Sequence, residues 1–264
     1  MRGLPFAKGH GTGNDFVIVP DPEGRIELTA ETVARLCDRR RGLGGDGLLR
    51  VVRTPGSDWF MDYRNADGSY AEMCGNGVRV YARYLVESGL AAGPRLRIQT
   101  SVGPVDAVVG PDAVAVELPL PTVYGTSRAL VSGVDIGGTV VTCGNPNLVC
   151  RVDDPGKLDL TAAPVLDAEA FPAGANVEFV GPTEVDGDGL RVRMRVVERG
   201  VGETLSCGSG ACAVAAAVLA EAGRGHGTVV VETPGGPLSV TLADGRNTLT
   251  GPAVIVATGE LRLP

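Results

Sequence analysis

Two short blocks of this sequence are copies of one another, and that repeat limits the possible folds more than any other feature. Cys74-Gly75-Asn76-Gly77 and Cys207-Gly208-Ser209-Gly210 stand 133 residues apart, and each leads into an apolar run. At the same spacing Thr100-Ser101-Val102-Gly103-Pro104 matches Thr233-Pro234-Gly235-Gly236-Pro237, and at 131 residues Gly13-Asn14-Asp15 resembles Gly144-Asn145-Pro146. Two copies are too few for a solenoid, which needs at least three stacked units. They predict two pseudo-symmetric domains that face each other. Pro119 and Pro121 interrupt the strand pattern between the copies, and the last apolar run returns to the first domain. The expected domains are therefore 1–118 plus 252–264 and 119–251, with a site in the cleft between them.

Each copy reads as a strand-rich unit centred on a helix, an α+β pattern. Runs rich in Val, Ile and Leu, bounded by Gly, Pro or Asp, predict strands. In the first copy they are Phe16–Pro20, Leu48–Arg53, Trp59–Tyr63, Leu96–Thr100, Val105–Val109 and Val114–Leu118. The second copy gives Val140–Thr142, Leu148–Val152, Val177–Val180, Leu190–Val197, Val229–Thr233 and Leu238–Leu242, and the returning run is Ala253–Ala257. Helices are expected at Thr29–Arg40, Gly77–Ser88 and Gly210–Ala222. The last is almost all Ala, Val and Leu, as a helix buried on every side requires.

Composition narrows the function. The chain has 264 residues, is 44% hydrophobic and carries a net charge of −7, so a folded core is expected and nucleic-acid binding is not. No apolar run reaches the length of a membrane span, and Met1–Phe6 does not lead into a secretory h-region. A cytosolic location follows, with the six cysteines reduced. Only two histidines are present, which leaves little for a histidine metal site or a Ser-His-Asp triad. Cys207 and Cys212 do not have the usual Cys-x2-Cys metal spacing.

The repeated cysteines carry the chemistry. A helix start has unpaired N–H groups and partial positive charge, so a cysteine there is expected to have a lowered pKa, and the same amides can hold a carboxylate. Cys37, Cys143, Cys150 and Cys212 read as small buried hydrophobes. Two equivalent thiols on opposite sides of a cleft could take a proton from one face of a carbon acid and return one to the other, inverting the centre. That requires one thiolate and one thiol at once. Polar residues recur around them: Asn65 and Glu198 each nine positions before a cysteine, Arg199, the paired Asn14 and Asn145, and Asn176 at a strand start. Each also has a plain reading, as a turn residue or an exposed ion pair.

With these blocks in view, the chain resembles the diaminopimelate epimerases. The matching segments are His10 to Phe16, Asn65 to Ser69, Met73 to Arg79, Gly144-Asn145-Pro146, Asn176 to Phe179, and Glu198 through Cys212. The resemblance implies two domains, each a curved, mostly antiparallel sheet around a central helix. It implies cofactor-free and metal-free conversion of LL- to meso-diaminopimelate for lysine and peptidoglycan synthesis, by a homodimer. Cys74 and Cys207 would be the acid/base pair. Gly75, Asn76, Gly208 and Ser209 would hold the reacting α-carboxylate, and Asn14, Asn65, Asn145, Asn176, Glu198 and Arg199 would read the rest of the substrate. Glu198 and Asn147 would tune the thiols; Asn147 stands where relatives usually carry His. Ala257 stands where some relatives place Tyr near the dimer contact. The rival readings are a racemase of another amino acid in secondary metabolism, a thiol redox switch and a binding protein. A phenazine-type isomerase shares the broad fold but is not expected to carry both thiols.

Overall fold

The protein is described by a computed structural model covering residues 3–54, 57–71 and 73–261; the outermost residues of the expected first domain, 1–2 and 262–264, lie outside it. In chain order the strands are β1 Leu4–Gly11, β2 Asn14–Pro20, β3 Gly47–Thr54, β4 Ser57–Asn65, β5 Arg95–Thr100, β6 Gly103–Val109 and β7 Val114–Leu118. They continue as β8 Thr122–Val131, β9 Val134–Cys143, β10 Asn145–Arg151, β11 Val165–Leu166, β12 Asn176–Val180 and β13 Glu184–Asp186. The remainder are β14 Gly189–Glu198, β15 Gly202–Thr204, β16 Gly227–Thr233, β17 Gly236–Ala243, β18 Arg246–Gly251 and β19 Val254–Leu261. The helices are α1 Ala30–Cys37, α2 Gly75–Glu87 and α3 Gly208–Glu221. The chain divides into two compact units, Met1–Val116 with Gly251–Pro264, and Glu117–Thr250.

The repeat is visible in the strand order. In the first unit the order is β19-β1-β2-β3-β4-β5-β6-β7, antiparallel except for β2–β3 and β4–β5. In the second it is β8-β9-β10-β12-β14-β16-β17-β18, antiparallel except for β10–β12 and β14–β16. Order and sense agree strand for strand. A parallel pair needs a crossover connection, and α2 and α3 supply it at the same place, between β4 and β5 and between β14 and β16. Helix α2 touches β1 through β6 and β19, and α3 touches β8, β9, β10, β12, β16 and β17. Each sheet therefore curves around its own helix. Eleven residues of α2, Gly75 through Leu85, are buried, which explains how a helix with two arginines can be central.

Those arginines are accommodated by carbonyls. Arg79 donates to the Gly75 and Pro252 carbonyls and to Thr12 Oγ1, and Arg83 to those of Ala253 and Gly110. One turn apart on α2, they fasten the chain where it re-enters the first unit and starts β19.

The structure adds strands that the apolar pattern did not announce. In β1 the inward positions are Ala7, Gly9 and Gly11. A side chain at Gly9 would come within 2.8 Å of the Val254 carbonyl and 3.0 Å of Val80, so close packing removed the hydrophobic signal. The β8–β9 hairpin is mostly exposed along β8 and carries Gly125, Gly137 and Gly138. Helices α2 and α3 begin two residues earlier than predicted, at Gly75 and Gly208, so both glycines of each block lie inside the first turn.

An ion-pair cluster ties the segment after α1 to the β1–β2 hairpin. Asp15 accepts from Lys8 and Arg39, and Asp46 accepts from Arg39 and from Asn14 Nδ2. Burial alone would raise the Asp15 pKa, but the Arg39 and Lys8 charges overcome it and hold the carboxyl well below the usual range. A depressed pKa contributes stability that is present above the unfolded value of about 3.9 and is lost as pH falls through the folded one. Asp15→Asn is expected to lower the urea midpoint at pH 7, with the gap to wild type closing as pH is taken below about 4. Equal gaps at pH 7 and pH 3 would show that the charge is not what stabilises here.

Candidate active site

Cys74 and Cys207 are the N-cap residues of α2 and α3, with φ −130°, ψ 120° and φ −130°, ψ 123°. The Cys74 and Cys207 carbonyls accept from Val78 and Ala211, both at 2.9 Å. The two repeated segments thus present a thiol in the same way at the positive end of a buried helix.

Around Cys74 the first unit gathers two of the predicted residues, Asn14 and Asn76. The half-buried Cys74 thiol donates to Asn14 Oδ1 at 3.4 Å, and Asn76 Nδ2 donates to the same oxygen at 3.4 Å. Asn14 is oriented by donating its own amide to Asp46 at 2.8 Å. The turn that delivers Asn14 has Thr12 and Gly13 both at positive φ, 49° and 83°, the backbone of a tight hairpin. Thr12 then donates to Asn76 Oδ1 at 3.4 Å. Asn65 is not drawn into this group by its side chain, which donates to Ser69 Oγ at 3.0 Å within its own turn.

Around Cys207 the second unit is more polar and more deeply buried. Ser209 Oγ lies 3.4 Å from the sulfur, and Asn176 Nδ2 approaches it at 3.9 Å. Asn176 also donates to Asn147 Oδ1 at 3.2 Å and accepts from the Arg199 backbone N–H at 3.0 Å. Asn147, fully buried, donates to the Asn145 carbonyl at 2.7 Å. It is therefore joined to the sulfur through Asn176 and not by facing it. The Arg199 side chain is exposed and turned to the Ala173 carbonyl at 3.4 Å. Glu198 Oε1 accepts from Thr204 Oγ1 at 2.6 Å.

Charge at the second thiol departs from expectation. Helix starts predicted a lowered pKa, but burial pushes the Cys207 thiol well up, and the Glu198 and Glu178 carboxyls push it further. Ser209 and the nearby Gly210 N–H offset this only in part. Desolvation and two acidic neighbours outweigh one helix end, so Cys207 rests as a thiol. Glu178 was not singled out from the sequence: it is a lone acid in an apolar run. Thr12, Arg79 and Asp46 were also not singled out, because each acts through another residue.

The family model for diaminopimelate epimerase matches residues 6–118 and 139–263, segments that contain both cysteines. The diaminopimelate epimerase of Thermobifida fusca is 50% identical over 276 residues, covering 98% of this chain and 98% of the relative. That of Acidothermus cellulolyticus is 47% identical, covering 100% and 97%. A solved Bacillus anthracis phenazine biosynthesis protein of the PhzF family superimposes with a TM-score of 0.80 over all of both chains at 17% identity, which speaks to the fold alone. Since the family model spans both repeats and relatives near half identity run the whole length, the chain belongs to the diaminopimelate epimerase family.

Proposed function

We propose that this protein interconverts LL- and meso-2,6-diaminopimelate by passing protons between one α-carbon and two sulfurs, Cys74 on one face and Cys207 on the other. The observation that carries this reading is the matched pair of N-cap cysteines, alike in backbone and unlike in surroundings. The first-turn residues Gly75, Asn76, Gly208 and Ser209 would hold the α-carboxylate, where helix-start amides favour negative charge and its growth as the proton leaves. Asn14, Asn65, Asn145 and Asn176 would read the amino and carboxylate groups, Glu198 an ammonium, and the Arg199 fork the distal carboxylate.

The unequal thiols give the reaction its starting state. In the direction in which Cys207, held as a thiol, supplies the proton, Cys74 would first give up the proton it donates to Asn14 and then, as thiolate, remove one from the opposite face. The two sulfurs finish with their protonation exchanged, which is the starting state for the reverse direction. A substrate ammonium beside Glu198 would offset the acidic charge that raises Cys207. Asn147 would act on Cys207 through Asn176. Proton transfer of this kind is complete with the two thiols, without pyridoxal phosphate or a metal. In the cell the product would serve lysine and peptidoglycan synthesis. We further infer a homodimer, with the exposed Val254 and Val256 of β19 available for a second copy to cover, in the cytosol, where thiols stay reduced.

The test is to incubate the purified protein with LL-diaminopimelate, without added cofactor and after dialysis against a chelator, and to resolve the stereoisomers. Meso product is expected. Inversion of another amino acid from a panel of basic and diamino acids, with diaminopimelate untouched, would replace this substrate; no inversion of any would end the epimerase reading.

A further inference from the structure

The agreement between the two units extends to single positions. Phe16 pairs with Gly47 across β2 and β3, and Asn147 pairs with Asn176 across β10 and β12, both parallel. Two residues further along the second strand of each pair stand Leu49 and Glu178, both fully buried. Each backs the third residue of its cysteine helix. A Cβ placed on Gly77 would lie 3.6 Å from Leu49 and 3.5 Å from Phe16; one placed on Gly210 would lie 2.5 Å from Glu178 Oε1. One cysteine helix therefore rests on leucine and phenylalanine, and the other rests on a carboxyl.

Packing does not require that carboxyl, because the first unit fills the same place with Leu49. Nor does hydrogen bonding explain it. Among the described residues no other residue gives either Glu178 oxygen a hydrogen bond, an arrangement that costs stability in a buried polar group. Burial and the Glu198 charge push its pKa well up, offset only in part by its own backbone N–H. The titratable groups whose charge acts on it or feels its own are Glu198 from β14, Cys207 at the start of α3 and Cys150 from β10.

We propose that Glu178 is a positioning residue for Cys207: a carboxyl buried behind the first turn of α3 that, together with Glu198, keeps the proton on that sulfur and makes the two cysteines chemically unequal. This rests on the reading of Cys207 as an acid/base group, and adds the residue that sets its resting state. The buried carboxyl costs stability and stands behind the cysteine that rests as a thiol.

Thiolate absorbance near 240 nm, followed against pH, tests this without turnover. The Cys207 contribution is the difference between each protein and the same protein carrying Cys207→Ser. Relative to wild type, Glu178→Gln and Glu178→Leu are both expected to shift Cys207 ionisation to lower pH, by on the order of one unit. An unmoved titration in variants with native circular dichroism would overturn the proposal. Should Glu178→Gln fail to fold, Glu178→Leu decides, since Leu49 occupies the equivalent place. Failure of both would also overturn it, by showing that the carboxyl is held for packing. A shifted titration in a protein that does not invert diaminopimelate would remove the substrate assignment and leave the role of Glu178 intact.

Discussion

Cys74→Ala and Cys207→Ala are each expected to lose epimerisation by on the order of 10²–10⁴-fold or more in kcat, with KM for the substrate little changed. Each thiol serves one face of the carbon, so neither can stand in for the other. The loss should be the same in kind for both variants although their surroundings differ, the half-buried Cys74 against Asn14 and the buried Cys207 against Asn176 and Ser209. Stereoisomer analysis of purified variants checks this. Near-normal turnover in either one would mean that its sulfur is not an acid/base group.

Arg79→Ala is expected to be the most destabilising single change in the first unit, at roughly 3–5 kcal/mol, in the range for large buried side chains cut to alanine. Arg79 is fully buried and joins the start of α2, the Thr12 turn and Pro252 before β19. Its removal leaves a cavity and unpaired buried carbonyls. Because Thr12 also donates to Asn76, the Asn14–Asn76 group beside Cys74 should loosen. Urea unfolding at pH 7 measures the stability. A loss below about 1 kcal/mol, the scale of an ordinary surface change, would show that the guanidinium is not a keystone of this unit.

The repeat made much of this molecule legible in advance. Cys-Gly-x-Gly before an apolar run is a strong local signal, and its recurrence placed both helices and both thiols. Strands went unseen where their inward faces were built of glycine and alanine, as at Gly9 and Gly11 of β1, or where most of the strand met solvent, as in β8. Helix starts were placed two residues late because glycine is a poor helix former; here the first-turn glycines let Glu178 and the chain crowd against the helix. Electrostatics was the least legible. A helix start lowers a thiol pKa only if nothing opposes it, and the opposition at Cys207 comes from burial, from Glu198 and from Glu178, whose place behind the first turn of α3 no local sequence pattern announces.

The most direct test of the two-thiol account is the fate of the α-proton in D2O. With LL-diaminopimelate and product collected at low conversion, the meso product should carry deuterium at the inverted carbon, while recovered LL substrate remains protiated. That pattern requires one sulfur to take the substrate proton and the other, exchanged with solvent, to deliver deuterium from the opposite face. Meso product that retains the substrate's own proton would mean that a single base works on both faces, and would contradict the assignment of Cys74 and Cys207 as a pair.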